Sequence, residues 1–146
     1  MIILDTQPVS QLQRAGSSDA ARIEQRINAY SAQEVWITVV TPFEQFKGCI
    51  AAISAANAPE KQLLPFAFLQ RLIEHYSRRW NGRILSFDAA AATEFQKFSP
   101  QLVRKIGGRD ARIAAIALVH NATVLTANTR DFRLVPGLKV EDFTRT

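Results

Sequence analysis

Three apolar residues, Ile2-Ile3-Leu4, run straight into Asp5, and Thr6-Gln7-Pro8 follows at once. The triplet reads as a short strand buried on both faces, as strands of parallel sheets are. Pro8 suits the first turn of a helix, where its fixed φ is helical and its missing N–H is not needed. A carboxylate therefore stands at the carboxyl end of a strand, where open α/β sheets place their chemistry. Three later acids, Glu44, Asp110 and Asp131, stand at comparable junctions.

The rest of the chain alternates in the same manner. Residues 7–15 and 17–33 read as helices separated near Gly16, with Ile23, Ile27 and Tyr30 as an apolar stripe. The β-branched run Val35 to Val40 predicts a second strand. Thr41-Pro42-Phe43-Glu44 then reads as a helix start, with Thr41 as N-cap and Glu44 closing a capping box. Residues 60–80 form a long helix whose broad apolar face is assigned first to the core and second to a dimer contact. A short strand covers Arg83 to Phe87, and Asp88 caps the next helix. Ser99-Pro100 reads as a break and residues 101–109 as mostly loop. Asp110 opens an apolar helix through Val119. Strands at Ala122–Thr126 and Leu138–Val140 flank a short turn or helix at Asn128–Phe132. Such alternation predicts one parallel sheet with helices on both faces, in a single domain spanning 1–146.

With 146 residues, 47% of them hydrophobic and 21% charged, the chain can bury a core. Met1 leads directly into the first strand, so no secretory leader is expected, and no apolar run reaches membrane-spanning length. A single cysteine, Cys49, excludes an internal disulfide framework and fits a reducing cytoplasm; its apolar surroundings make it core filler. The net charge of +5 suits a polyanionic partner. If four acids share one cleft, the remaining surface is more basic than this total.

Each acid taken singly has a capping explanation. Asp5 suits the start of the helix after the first strand, Glu44 a capping box, Asp110 an N-cap, and Asp131 the positive end of a helix dipole. Taken together, at one edge of one sheet, they form a set of hard oxygen ligands of the kind Mg²⁺ or Mn²⁺ prefers. A cation held there activates water and stabilises charge on a phosphodiester without a protein nucleophile. That suits a chain lacking a Ser–His–acid or Cys–His arrangement. His75 and His120 read as ordinary helix residues, and Gly107-Gly108 lacks the Lys-Ser or Lys-Thr of a phosphate loop.

Three motifs give this pattern a family likeness. They are Ile3-Leu4-Asp5-Thr6, Ile37 through Glu44 with Gly48, and the block from Asp110 to Phe132 that carries Thr126, Asn128 and Asp131. The sequence resembles the PIN-domain ribonucleases, most closely the small toxins of VapBC-type toxin–antitoxin pairs. The resemblance implies a three-layer α/β/α sandwich with a central parallel sheet. It makes Asp5, Glu44, Asp110 and Asp131 catalytic metal ligands, with Thr6, Thr126 and Asn128 lining the same pocket. It further implies Mg²⁺ or Mn²⁺ as cofactor, RNA as substrate, a cognate antitoxin as partner and a homodimer. Gln7 departs from the family, which usually has Asn there, and its extra methylene is expected to displace a hydrogen bond that organises the site.

Two other functions compete. A non-catalytic RNA- or partner-binding module on the same scaffold draws its support from Gln7. An aspartyl phosphotransferase would use Asp5 as nucleophile, but position 7 lacks the second acid of an Asp-x-Asp arrangement.

Overall fold

The computed structural model describes residues 1–145. Ile2–Leu4 forms β1, and its three side chains are fully buried. Helix α1, Thr6–Leu12, begins directly behind it, and α2, Ser18–Ile27, follows with Ser17 as its cap. The expected second helix is thus shorter, and a separate 3-10 turn at Ala32–Glu34 leads into β2, Val35–Thr38.

Helix α3 then runs from Val40 to Ala55. The second strand ends two residues earlier than the β-branched run indicates. Val39, not Thr41, takes the N-cap position, and no side chain caps it. Thr41 lies fully buried inside the first turn, where its hydroxyl meets that of Thr6 at 3.1 Å. The expected capping box with Glu44 therefore does not form.

Helix α4, Pro59–Arg79, precedes β3, Ile84–Leu85, and α5, Ala89–Gln96, is capped by Asp88 as expected. Residues 101–109 are not loop. Ser99 accepts from the Leu102 N–H and Pro100 takes the first helical position, so Pro100–Ile106 forms α6. Helix α7, Gly108–Val119, places Asp110 in its first turn instead of at its cap. β4, Thr123–Thr126, α8, Thr129–Phe132, and β5, Lys139–Asp142, complete the chain.

All strand pairs are parallel, in the order β3-β2-β1-β4-β5. The pleat of β1 sends alternate side chains into two cores. Ile3 joins Val124, Ile113, Ile116 and Phe132 on one face, beneath α5, α6 and α7. Ile2 and Leu4 join Val9, Ile23, Ile37, Leu72 and Trp80 on the other. The result is the expected α/β/α sandwich. Ala111, Ala114, Ala115 and Ala117 are buried in α7, and these small side chains let that helix lie close to its neighbours. Cys49 is buried core filler.

Only one side of α4 fits the core assignment. Leu72, Tyr76 and Trp80 are buried, whereas Leu63, Leu64, Phe66, Phe68 and Ile73 lie open to solvent. Ile50 of α3 is exposed as well. An apolar stripe shows that a helix has a face to cover, not that its own chain covers it.

Packing at the centre of the sandwich sets stability. Ile116 is fully buried, so Ile116→Ala should cost about 2–5 kcal/mol and Ile116→Val about 0.5–1.5 kcal/mol. Urea unfolding midpoints at constant slope will check both values.

Candidate active site

The strand order reverses between β1 and β4. Connections from β1 run outward through β2 and β3, after which the chain returns to the other side of β1. Crevices outside the carboxyl ends of strands at such a reversal are where open parallel sheets bind ligands. Asp5 leaves β1 at this point and Thr126 ends β4 beside it. The Asp5 N–H donates to Leu125 O at 3.1 Å, which extends the sheet ladder by one residue and fixes the Asp5 backbone.

Both Asp5 oxygens are engaged. Oδ1 accepts the Thr6 N–H at 2.7 Å, making Asp5 the cap of α1, and Oδ2 accepts the Thr126 hydroxyl at 2.8 Å. Capping thus uses one oxygen, and the other faces across the reversal point. Asp110 arrives from the start of α7. Gly107 closes α6 and begins α7 at φ +90, a conformation that side chains rarely adopt. That turn aims the first residues of α7 at Asp5. Asp5 and Asp110 are each only 3% exposed.

Asn128 organises the other acids. Its Nδ2 donates to Asp110 Oδ2 at 3.1 Å and to Asp131 Oδ2 at 3.2 Å, while its N–H donates to Thr126 Oγ1 at 2.9 Å. One amide therefore holds two carboxylates side by side. Arg109 Nε donates to the second Asp110 oxygen at 2.9 Å, and Arg130 Nε approaches Asp131 Oδ1 at 3.3 Å. Each Asp110 oxygen thereby accepts one hydrogen bond, from Arg109 or from Asn128, and keeps further acceptor capacity.

Glu44, half-buried on α3, acts electrostatically on Arg109 but makes no side-chain hydrogen bond or ion pair among the described residues. Asp5, Glu44 and Asp110 thus lie around Arg109, and Asp131 joins them through Asn128. Among the described residues, no three His, Cys, Asp or Glu side chains are grouped so as to hold a metal. Gln7 is exposed and, among the described residues, makes no side-chain hydrogen bond to the acids. Thr41 was read from the sequence only as a helix cap and not as part of the site. Its contact with Thr6 ties the start of α3 to the start of α1.

Burial pushes the Asp5 carboxyl above its ordinary range, and the charge of Asp110 adds to this. The Thr126 hydroxyl, the Thr6 N–H and Arg109 pull it back. Burial would also lower the Arg109 guanidinium, but its bond to Asp110 and the charges of Asp110, Asp5 and Glu44 outweigh this and raise it. His75 is displaced downward by burial and by Arg79. Its Nε2 accepts the Trp80 indole N–H at 3.2 Å, so it serves as a neutral packing residue.

The donor chemistry fits a hard divalent cation. Every candidate ligand is an oxygen, two carboxylates repel each other in a buried place, and Arg109 supplies the charge balance that a cation would otherwise supply.

The chain belongs to the PIN domain family, whose model matches residues 2–138. Among its relatives is the tRNA(fMet)-specific endonuclease VapC of Shigella flexneri, 33% identical over 106 residues, covering 68% of this chain and 78% of that protein. Toxin FitB of Neisseria gonorrhoeae is 27% identical over 135 residues, covering 90% and 91%. The fold matches the crystal structure of FitAcB from the same species, with a TM-score of 0.73 at 23% identity and full coverage of both chains.

The Asp5 shift has a definite sign. Its folded pKa lies above the unfolded one, so the folded state binds the proton more tightly and this carboxyl's contribution to stability falls as pH rises through that window. Thr126→Val removes a bond that lowers the shift. It should move the Asp5 titration to higher pH, which ¹³C NMR of the aspartate carboxyl carbons will record.

Proposed function

We propose that the protein is a divalent-cation-dependent endoribonuclease, the toxin of a toxin–antitoxin pair. The observation that carries this reading is the burial of both Asp5 and Asp110, within electrostatic reach of each other, at the reversal point of a parallel sheet. Folding places two carboxylates where solvent screens them little, and a carboxyl perturbed by burial and a like charge, as Asp5 is, marks a candidate functional site. Membership of the PIN family and likeness to an endonuclease and a toxin support the reaction class.

In this reading Asp5, Glu44, Asp110 and Asp131 supply oxygen ligands for Mg²⁺ or Mn²⁺. A divalent cation bound there supplies Lewis acidity toward phosphate and lowers the pKa of a coordinated water. The protein's part is positional. Thr126 keeps Asp5 oriented and favours its charged form. Asn128 holds Asp110 and Asp131 beside each other. Arg109 balances the charge of Asp110, and its guanidinium would lie beside a phosphate held at the cation. Thr6 with Thr41 fixes the junction on which Asp5 and Glu44 stand.

The exposed apolar side chains of α3 and α4, Ile50, Leu63, Leu64, Phe66 and Ile73, support burial against another chain, in a homodimer or under an antitoxin. No helix among the described residues is long and apolar enough to cross a membrane. The single free cysteine, Cys49, fits a reducing, cytoplasmic compartment.

A second reading, a non-catalytic RNA- or partner-binding module, is favoured by one observation: Arg109 already compensates Asp110, and the acids form no closed ligand group. Cleavage separates the two. Purified protein should cut RNA from a mixed pool with Mg²⁺ or Mn²⁺ and not with EDTA, and Asp110→Asn should lose cleavage while keeping the wild-type circular dichroism spectrum. Full activity in Asp110→Asn, or in EDTA, would exclude the proposed chemistry.

A further inference from the structure

A groove of about 470 Å³ adjoins the acids, within the range of roughly 300–1,000 Å³ usual for ligand sites. Its walls include Phe43, Glu44, Lys47, Phe87, Arg109 and Arg112. Two of these residues connect it with the site above: Glu44 is one of the four acids, and Arg109 holds Asp110.

Its composition is unlike the apolar stripe of α4. Phe43 is 60% exposed, an unusual position for a phenyl ring, and Lys47 one turn along α3 has Nζ 5.9 Å from the ring centroid. Opposite, Phe87 is half-buried and fixed by an edge contact with Phe95, their centroids 6.1 Å apart at 87°. Arg112 lies over Phe95 at 5.3 Å, and its Nη1 donates to Gly108 O at 3.0 Å, so the guanidinium stands at the rim. Three cations and two rings thus surround one acid.

We infer that this groove is a subsite for one unpaired base of an RNA strand, with Phe43 as the stacking platform and Lys47, Arg109 and Arg112 as contacts for the flanking phosphates. The inference rests on the nuclease reading and names the form of RNA it takes. Base faces are covered in a duplex and open in a single strand, so a ring presented at a basic groove selects unpaired RNA. Charge complementarity favours nucleic acid over an acidic peptide as occupant because the groove continues into the acids, where a phosphodiester is to be cut.

Binding tests this without turnover. Short single-stranded RNA carrying 2-aminopurine, and the same strand in a duplex, are titrated in EDTA against wild type, Phe43→Ala, Phe43→Trp and Lys47→Gln. Wild type should prefer the single strand and quench 2-aminopurine. Phe43→Ala should bind the single strand about tenfold more weakly, the size of one base–aromatic stack, without quenching. Phe43→Trp should retain both properties. Lys47→Gln should lower the salt-dependence slope by about 0.7, the share of one phosphate on a single strand. Because Phe43 is exposed, its variants should keep the wild-type melting temperature.

Equal affinity and quenching in Phe43→Ala, or equal binding of single strand and duplex, would overturn the subsite. So would a Phe43→Ala protein that binds RNA normally but escapes inhibition by the protein encoded beside it, which would give the groove to that partner. Cleavage of pooled RNA by the same preparations distinguishes the levels. Metal-dependent cleavage with no Phe43 effect on binding removes the subsite alone. Phe43-dependent quenching with no cleavage under any metal keeps the subsite and removes the nuclease.

Discussion

Asp5 and Asp110 are buried close enough to repel each other, and the hydrogen bonds around them read as the means of bearing that repulsion. Burying a charge without partners costs several kcal/mol, so each oxygen needs a donor. Thr126 and the Thr6 N–H serve Asp5, and Arg109 and Asn128 serve Asp110. These donors come from β4, α1, α7 and the turn after β4. The polar cluster therefore joins elements far apart in sequence at the point where the sheet reverses its order.

The topology makes this arrangement possible. With β1 in the middle and β4 beside it, the residues following both strands emerge at the same end. Helix α7 packs its alanine-rich length into one core and presents Asp110 at that end, because Gly107 takes the positive-φ turn before it. Across the sheet, the Thr6–Thr41 contact sets α1 against α3 and so relates Asp5 to Glu44. The apolar cores give rigidity, and the polar cluster depends on it: a buried pair of like charges would separate in a looser frame.

Much of the fold was legible because buried parallel strands are short apolar runs with sharp ends. β1, β2 and β4 announce themselves in this way, and Asp88 marks its helix. Helix α6 was missed although Ser99-Pro100 carried the signal, since a proline that ends one helix equally begins another at its first position. The β-branched Val39-Val40 could not be separated from strand by pattern alone, and helix α3 claims Val40. The exposure of Leu63, Leu64 and Ile73 was illegible because periodicity does not say which surface answers a stripe. Of the candidate site, the placement of four acids near element ends was readable. Asn128 joining Asp110 to Asp131, and Arg109 pairing with Asp110, depend on tertiary placement that spacing does not encode.

The central claim is that this buried repulsion exists to receive a divalent cation. Thermal unfolding of the wild type, Asp5→Asn and Asp110→Asn with and without Mg²⁺ or Mn²⁺ tests it apart from any RNA. A cation at about 100 times its Kd adds about 2.7 kcal/mol to the folded state. The wild-type melting temperature should rise by several degrees, and both variants should lose that rise. An unchanged wild-type melting temperature across saturating concentrations of both cations, or an equal rise in all three proteins, would contradict it.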